Sequence, residues 1–211
     1  MEMKLDRITE IANKYQRVQT LMHMINKEAL INEHCNQQRN KASGIDKVTK
    51  DIYNSDLEKN VEKLVTSMKE MKYIPQPVRR TYIPKGGSDK LRPLGIPSYE
   101  DKLVQGAMSK LLNAIYEGKF LDFSYGFRPN RNCHQAIREL DKILMTKKVN
   151  FVVDADIKGF FDNVSHEWLM EFLKHDIQDK RFLRYIARFL KSGIMENDTL
   201  RRVIKELRKE D

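Results

Sequence analysis

"FVVDADIKGFFDNVSH", residues 151–166, runs an apolar stretch directly into two carboxylates. Its β-branched residues predict a strand over 151–157, with Val152, Asp154 and Asp156 on one face and Val153, Ala155 and Ile157 on the other. Carboxylates beside buried apolar side chains are costly unless a cation or a hydrogen-bond network satisfies them. A hard divalent ion, magnesium above all, suits such oxygen donors. An Asp-x-Asp serves equally well as two solvated carboxylates at a strand end, or as the metal-bound nucleotide site of a sugar-nucleotide transferase. The neighbourhood has to decide.

Upstream, the spacing of Leu5, Ile8, Ile11, Ala12, Tyr15, Val18, Leu21, Met22 and Ile25 predicts one or two amphipathic helices over residues 5–31. "KASGIDKVT" (41–49) breaks that pattern, and a further helix is expected around 54–72. "YIPQPVRRTYIPKGGSDKLRPLGIP" (73–97) has two β-rich arms joined by Gly-Gly-Ser-Asp, with prolines where an edge strand tolerates them, and it predicts an exposed hairpin. From Lys69 to Arg92 there are seven basic residues against two acidic, a net of +5. Helical spacing returns over 101–118 and 133–148, then after the Asp-containing strand at about 165–175 and 179–191, where Gly193 closes the last helix. This order of elements predicts an α+β fold.

A formal charge of +9 over 211 residues favours an anionic partner, with nucleic acid the first candidate, although a solvated basic surface has the same composition. Cys35 and Cys133 lack the paired spacing of a zinc site and are expected to be reduced thiols. The charged first residues, and the absence of any run of ~18 apolar residues, predict a cytoplasmic chain with no membrane partner.

"DIKGFFDNVSH" (156–166) resembles the first catalytic motif of group II intron-encoded reverse transcriptases/maturases. Three more blocks follow the family's order. "KASGIDKVT" is similar to its N-terminal motif, with Lys47 where the family carries glycine; "YIPKGGSDKLRPLGIPSYEDKLVQGAM" (82–108) resembles its nucleotide-binding fingers hairpin and the following helix; "FSYGFRPNRNCHQAI" (123–137) resembles its next block. The resemblance implies helix-rich reverse-transcriptase fingers with a basic β-hairpin and an incomplete palm. It divides the chain into N-terminal helices and fingers (1–150), the first part of the palm (151–200) and an unmatched charged tail (201–211), expected to be a short helix.

By the same resemblance Asp156 is the catalytic carboxylate and, with the backbone carbonyl of Ile157, a ligand of magnesium, while Asp154 is an electrostatic neighbour. Lys85 and Arg92 grip the triphosphate of the incoming dNTP, a task that suits a compact ammonium and a planar guanidinium. Phe161 underlies the nucleotide sugar, which requires the chain to bend or end its strand near Gly159. Arg128, beside Tyr125 and Phe127, is expected at the template RNA, with Arg79, Arg80 and Lys41 as further RNA contacts. Gly44 is expected to serve a turn, and His134 and His166 to begin helices.

The chain contains no Asp-Asp dipeptide, the signature from which the family draws its remaining metal ligands. The implied function is therefore the N-terminal part of an RNA-directed DNA polymerase, binding intron RNA, template, primer DNA and dNTP, and completed by a C-terminal half or a second copy. Alone it is not expected to polymerise. Two alternatives stay open: an RNA-binding splicing cofactor without chemistry, and a metal-dependent sugar-nucleotide transferase.

Overall fold

The computed structural model describes residues 2–15, 17–84, 86–87, 89, 91–197 and 199–201. Helices α1 (Glu2–Tyr15), α2 (Lys27–Asn36), α3 (Lys50–Asn54) and α4 (Leu57–Lys69) precede a hairpin of β1 (Val78–Pro84) and β2 (Leu91–Ile96). Then come α5 (Tyr99–Tyr116), α6 (Cys133–Thr146), the short α7 (Phe160–Asn163), α8 (His166–Asp176), α9 (Lys180–Leu190), β3 (Ile194–Glu196) and β4 (Thr199–Arg201). The sheet order is β2-β1-β3-β4, antiparallel except for the parallel β1–β3 pair. This is the helix-rich α+β arrangement expected from the sequence, with the hairpin in register from Arg79↔Ile96 to Pro84↔Leu91.

The α5 helix is the centre of the core. Leu103, Val104, Ala107, Met108, Leu111 and Ile115 recur at helical spacing and are all buried, with α1 and α2 packed against them. Burying each of these side chains except the small Ala107 is worth about 1.5–3 kcal/mol, so α5 is the element on which the rest is mounted. Below it, α4 contributes Val61, Leu64, Val65 and Met68, and α9 contributes Phe182, Leu183 and Tyr185, whose hydroxyl donates to the Met68 carbonyl at 3.0 Å.

Asp179 ties the N-terminal region to α9. One of its carboxylate oxygens accepts the N–H groups of Leu21 and Met22, both at 2.7 Å, and the other accepts those of Arg181 and Phe182 at 2.9 and 3.1 Å. It caps α9 and pins the preceding chain with one side chain.

The strand predicted over 151–157 is not formed. These residues make no cross-strand pairs, and all of them are exposed, Phe151 by 89% and Val153 by 88%. A strand exists through hydrogen bonds to a neighbour, and no described residue offers one to this segment, so the apolar composition alone does not order it as a strand. With no strand, the face expected to be shared by Asp154 and Asp156 does not arise either. Among the described residues the apolar face of α6 is uncovered in the same way. Its apolar stripe, Ile137, Leu140 and Leu144, is exposed, and it is secured locally by a capping box in which Asn132 and Gln135 exchange hydrogen bonds at 2.9 and 3.0 Å. The tail over 202–211 and its predicted helix lie outside the described residues.

Candidate nucleic-acid and nucleotide interface

The N-terminus of α5, the base of the hairpin and the 41–49 loop form one clasp. Asp46 accepts the Tyr99 N–H at 3.0 Å, capping α5 from a distant part of the chain, because the local N-cap residue Ser98 makes no side-chain cap bond. Arg79 Nε and Nη2 both donate to the Ser43 carbonyl, at 3.1 and 2.8 Å, and Lys102 Nζ donates to the Ala42 carbonyl at 2.7 Å. From the first turn of α5, Asp101 accepts the Tyr73 hydroxyl and, at 3.0 Å, the Gln76 N–H two residues before β1. The hairpin is therefore held at its base from both sides.

Gly44 is packed into this clasp. A Cβ there would lie 2.5 Å from Ser98 Cα and 2.6 Å from the Pro97 carbonyl oxygen, both backbone atoms with no room to yield. Gly44→Ala is accordingly expected to lower stability by about 1–3 kcal/mol, as overpacking does, read as a fall in the thermal midpoint; an unchanged midpoint would show that the loop does not seat here. Close approach, beyond a simple turn, is what this position requires. At Lys47 φ is +56°, the left-handed region that glycine enters most readily.

Beyond the clasp the hairpin is exposed. Arg92, opposite Ile83, lies on the solvent-accessible outer part of β2, and Lys85 lies outside the described residues. Arg80 is half-buried next to Tyr82, with its Nε enclosed and unpartnered among the described residues. Tyr82 donates to Glu196 on β3, which also pairs with Arg201 at 3.1 Å, so the hairpin is joined to the strands after α9. Lys41 is exposed at a cleft of about 100 Å³ that it shares with Lys50, Asp51, Tyr99 and Lys102. Burial holds the Lys102 ammonium below the ordinary lysine range.

Arg128 occupies a different position from the one a direct RNA contact would need. Its side chain is only 6% exposed and forms an ion pair with Glu117 at 2.9 Å, while Nη1 donates to the carbonyls of Leu121 and Ser124 at 2.8 and 2.9 Å. Its guanidinium also lies 5.2 Å from the centre of the Phe120 ring. The residue before it, Phe127, is 99% exposed with φ +56°. Arg128 thus anchors a loop that projects an aromatic ring into solvent, and Arg131 stands 5.6 Å from the centre of the nearby Tyr125 ring.

Asp154, Asp156 and Ile157 lie on the exposed segment before Gly159, which has φ +61° and turns the chain into α7. Phe160 and Phe161 contact each other edge to face at 5.3 Å, with Phe161 80% exposed. Among the described residues no hydrogen bond or ion pair joins this segment to the hairpin, and no group of three His, Cys, Asp or Glu side chains could hold a metal ion. Two carboxylates and a carbonyl are the right kind of donor for a hard divalent ion, but from a single segment they do not complete its shell.

Sequence reasoning passed over Asp46, Asp101 and Asp179, the carboxylates that assemble the clasp and the α9 cap. Each has at least one partner remote in sequence, the Tyr99 N–H for Asp46, the Tyr73 hydroxyl and Gln76 N–H for Asp101, and the Leu21 and Met22 N–H groups for Asp179, and no local pattern announces those. Tyr99, at 3.0 Å from His34 Nδ1 and 4.9 Å from the Tyr53 ring, belongs to the same buried group.

Residues 83–208 match the family described as reverse transcriptase (RNA-dependent DNA polymerase). The chain is 40% identical over 162 residues to the group II intron-encoded protein LtrA of Lactococcus lactis subsp. cremoris, covering 77% of this chain and 27% of LtrA. It is 38% identical over 154 residues to protein YkfC of Escherichia coli (strain K12), 71% of this chain and 40% of that one. It is 28% identical over 115 residues to nuclear intron maturase 1, mitochondrial, of Arabidopsis thaliana, 52% of this chain and 15% of that one. The chain thus spans well under half the length of these relatives. Among the described residues no helix is long and apolar enough to cross a membrane.

Proposed function

Because the chain belongs to the reverse transcriptase (RNA-dependent DNA polymerase) family, among group II intron-encoded proteins, we propose that it is the template- and nucleotide-gripping part of a reverse transcriptase/maturase that binds intron RNA. The observation that carries this reading is the basic hairpin fixed at its base by the 41–49 loop and the first turn of α5. A clasped base and a free outer part leave Arg92, with Lys85 by sequence, available to the triphosphate of an incoming dNTP. Arg79 is committed to the Ser43 carbonyl and sets the hairpin's pose; Arg80 and Lys41 complete the basic surface. Residues 1–150 act as the fingers, and 151–200 begin the palm.

The family uses divalent metal ions. In this reading Asp156 and the Ile157 carbonyl would hold one, magnesium by the preference of hard cations for oxygen, and Phe161 would lie under the nucleotide sugar. A bound ion would supply charge stabilisation at the phosphates. The described residues do not supply the remaining donors, and the exposed stripe of α6 and the unpaired 151–157 segment support contact with further palm structure. The family match leaves the sugar-nucleotide transferase alternative without support. The incomplete donor set favours one second reading, an RNA-binding splicing cofactor without chemistry.

Primer extension on an RNA template tests the proposal, with the chain alone and mixed with a separately produced C-terminal portion of a related enzyme, while RNA binding is followed by fluorescence anisotropy. RNA binding in both samples and extension only in the mixture is the expected result. Binding without extension in either sample would leave the cofactor reading; no binding would refute both. Phe127→Ala is expected to weaken RNA binding by about 1–3 kcal/mol, the worth of one base–aromatic stack, with no loss of stability, since the ring is solvated. Unchanged affinity would remove Phe127 from the interface.

A further inference from the structure

The last helix before β3 carries a concentration of charge that the hairpin does not account for. The segment "KRFLRYIARFLK", residues 180–191, has five cations and no acid, the hairpin region's net charge in half its length. At 3.6 residues per turn, Lys180, Arg181, Arg184, Arg188 and Lys191 all fall within an arc of roughly 100°. The opposite side of the helix buries Phe182, Leu183 and Tyr185 in the core. Lys180, Arg181, Arg184 and Lys191 are exposed, and among the described residues none of them has a side-chain hydrogen bond or ion pair. Asp179, the carboxylate that precedes them in sequence, is engaged by four backbone N–H groups.

Two details separate this ridge from an ordinary solvated face. Lys180 and Arg181 occupy the first turn of α9, with no acid there, where the positive end of the helix dipole disfavours cations. Charge is placed against the local preference, as a binding surface would require. Further along, Arg188 donates to the carbonyls of Tyr73 and Met71, at 2.5 and 2.9 Å, which brings the end of α4, with exposed Lys69 and Lys72, against α9. The ridge is thereby continuous with the basic segment that leads into the hairpin.

We propose that the α9 ridge, through Lys180, Arg181, Arg184 and Lys191, is a second RNA-binding surface that tracks a phosphate backbone. This rests on the nucleic-acid reading above. The ridge runs about 16 Å along the helix, enough for a few successive phosphates, and it presents no aromatic side chain on the same arc, so it grips backbone without reading bases.

The test is anisotropy of a labelled RNA across a salt series with the whole chain, the variant K180Q/R181Q/R184Q/K191Q and, in parallel, the hairpin variant R80Q/R92Q. The α9 variant is expected to bind at least about tenfold more weakly and to have a salt slope shallower by roughly 0.7 for each phosphate it no longer neutralises. Its thermal midpoint is expected to be equal or higher, because two cations leave a helix N-terminus. Wild-type affinity and slope in the α9 variant, with weakened binding in the hairpin variant, would overturn the ridge and keep the RNA reading. No RNA binding by the wild-type chain would overturn both. Displacement of RNA by polyglutamate as readily as by unlabelled RNA would also overturn it, in favour of an acidic protein partner. If the fourfold variant does not fold, K180Q/R181Q decides in the same way, with an expected slope change of about half.

Discussion

Asp156→Asn is expected to abolish DNA synthesis by the completed enzyme, by about a thousandfold or more, while RNA binding and thermal stability stay at the wild-type level. The carboxylate is exposed and, among the described residues, has no hydrogen bond or ion pair, so folding does not depend on it. On the proposed reading its loss would remove a charged metal ligand, and metal-ion catalysis supplies several kcal/mol of charge stabilisation, each 1.36 kcal/mol being about tenfold in rate. The amide keeps the shape of the carboxylate and removes its charge. The measurement is single-turnover extension of a primer on an RNA template, with Asp154→Asn alongside. Extension by Asp156→Asn within a few fold of wild type would exclude it as the catalytic carboxylate; a deep loss in Asp154→Asn with little change in Asp156→Asn would reverse the assignment between the two.

Asp101→Ala should cost about 3 kcal/mol or more and lower the thermal midpoint by roughly 6–12 °C. Asp101 is 1% exposed, and its removal leaves the Tyr73 hydroxyl and the Gln76 N–H without their acceptor. Asp101→Asn should cost much less, because its carbonyl can accept from Gln76 while its amide donates to the Tyr73 oxygen. Burial pushes the Asp101 carboxyl above its ordinary value, more than its hydrogen bonds lower it. The folded state therefore holds the proton more tightly than the unfolded one. The associated stability is complete below the unfolded value of 3.8 and is lost as pH rises through the raised folded value. Since Asn carries no such charge, its cost relative to wild type should shrink between about pH 4 and about pH 7. Chemical denaturation at the two pH values checks this, and a cost that grows with pH would mean that the charged form is the favoured one in the fold.

The α6 stripe and the 151–157 segment show where reading by pattern stops. The spacing of Ile137, Leu140 and Leu144 is the same as that of Met108, Leu111 and Ile115, yet the first set is exposed and the second buried. The spacing does not distinguish them; the presence of a covering surface does. Arg128 makes the same point for a functional residue. An arginine in an aromatic loop has the composition of an RNA contact, and its carbonyl partners at Leu121 and Ser124 come from the path of the chain around it.

What the sequence by itself determined is what depends on near neighbours in the chain. The helices follow from 3.6-residue periodicity, the hairpin from its turn and β-rich arms, and the family from the order of four motifs. What only the tertiary structure decided is what depends on a partner distant in sequence. Asp46 reaches Tyr99, Asp101 reaches Gln76, Asp179 reaches Leu21 and Met22, and "FVVDADI" finds no neighbouring strand. Periodicity is written into each local window, whereas a hydrogen bond across the fold requires its two halves to be brought together, and no window contains both.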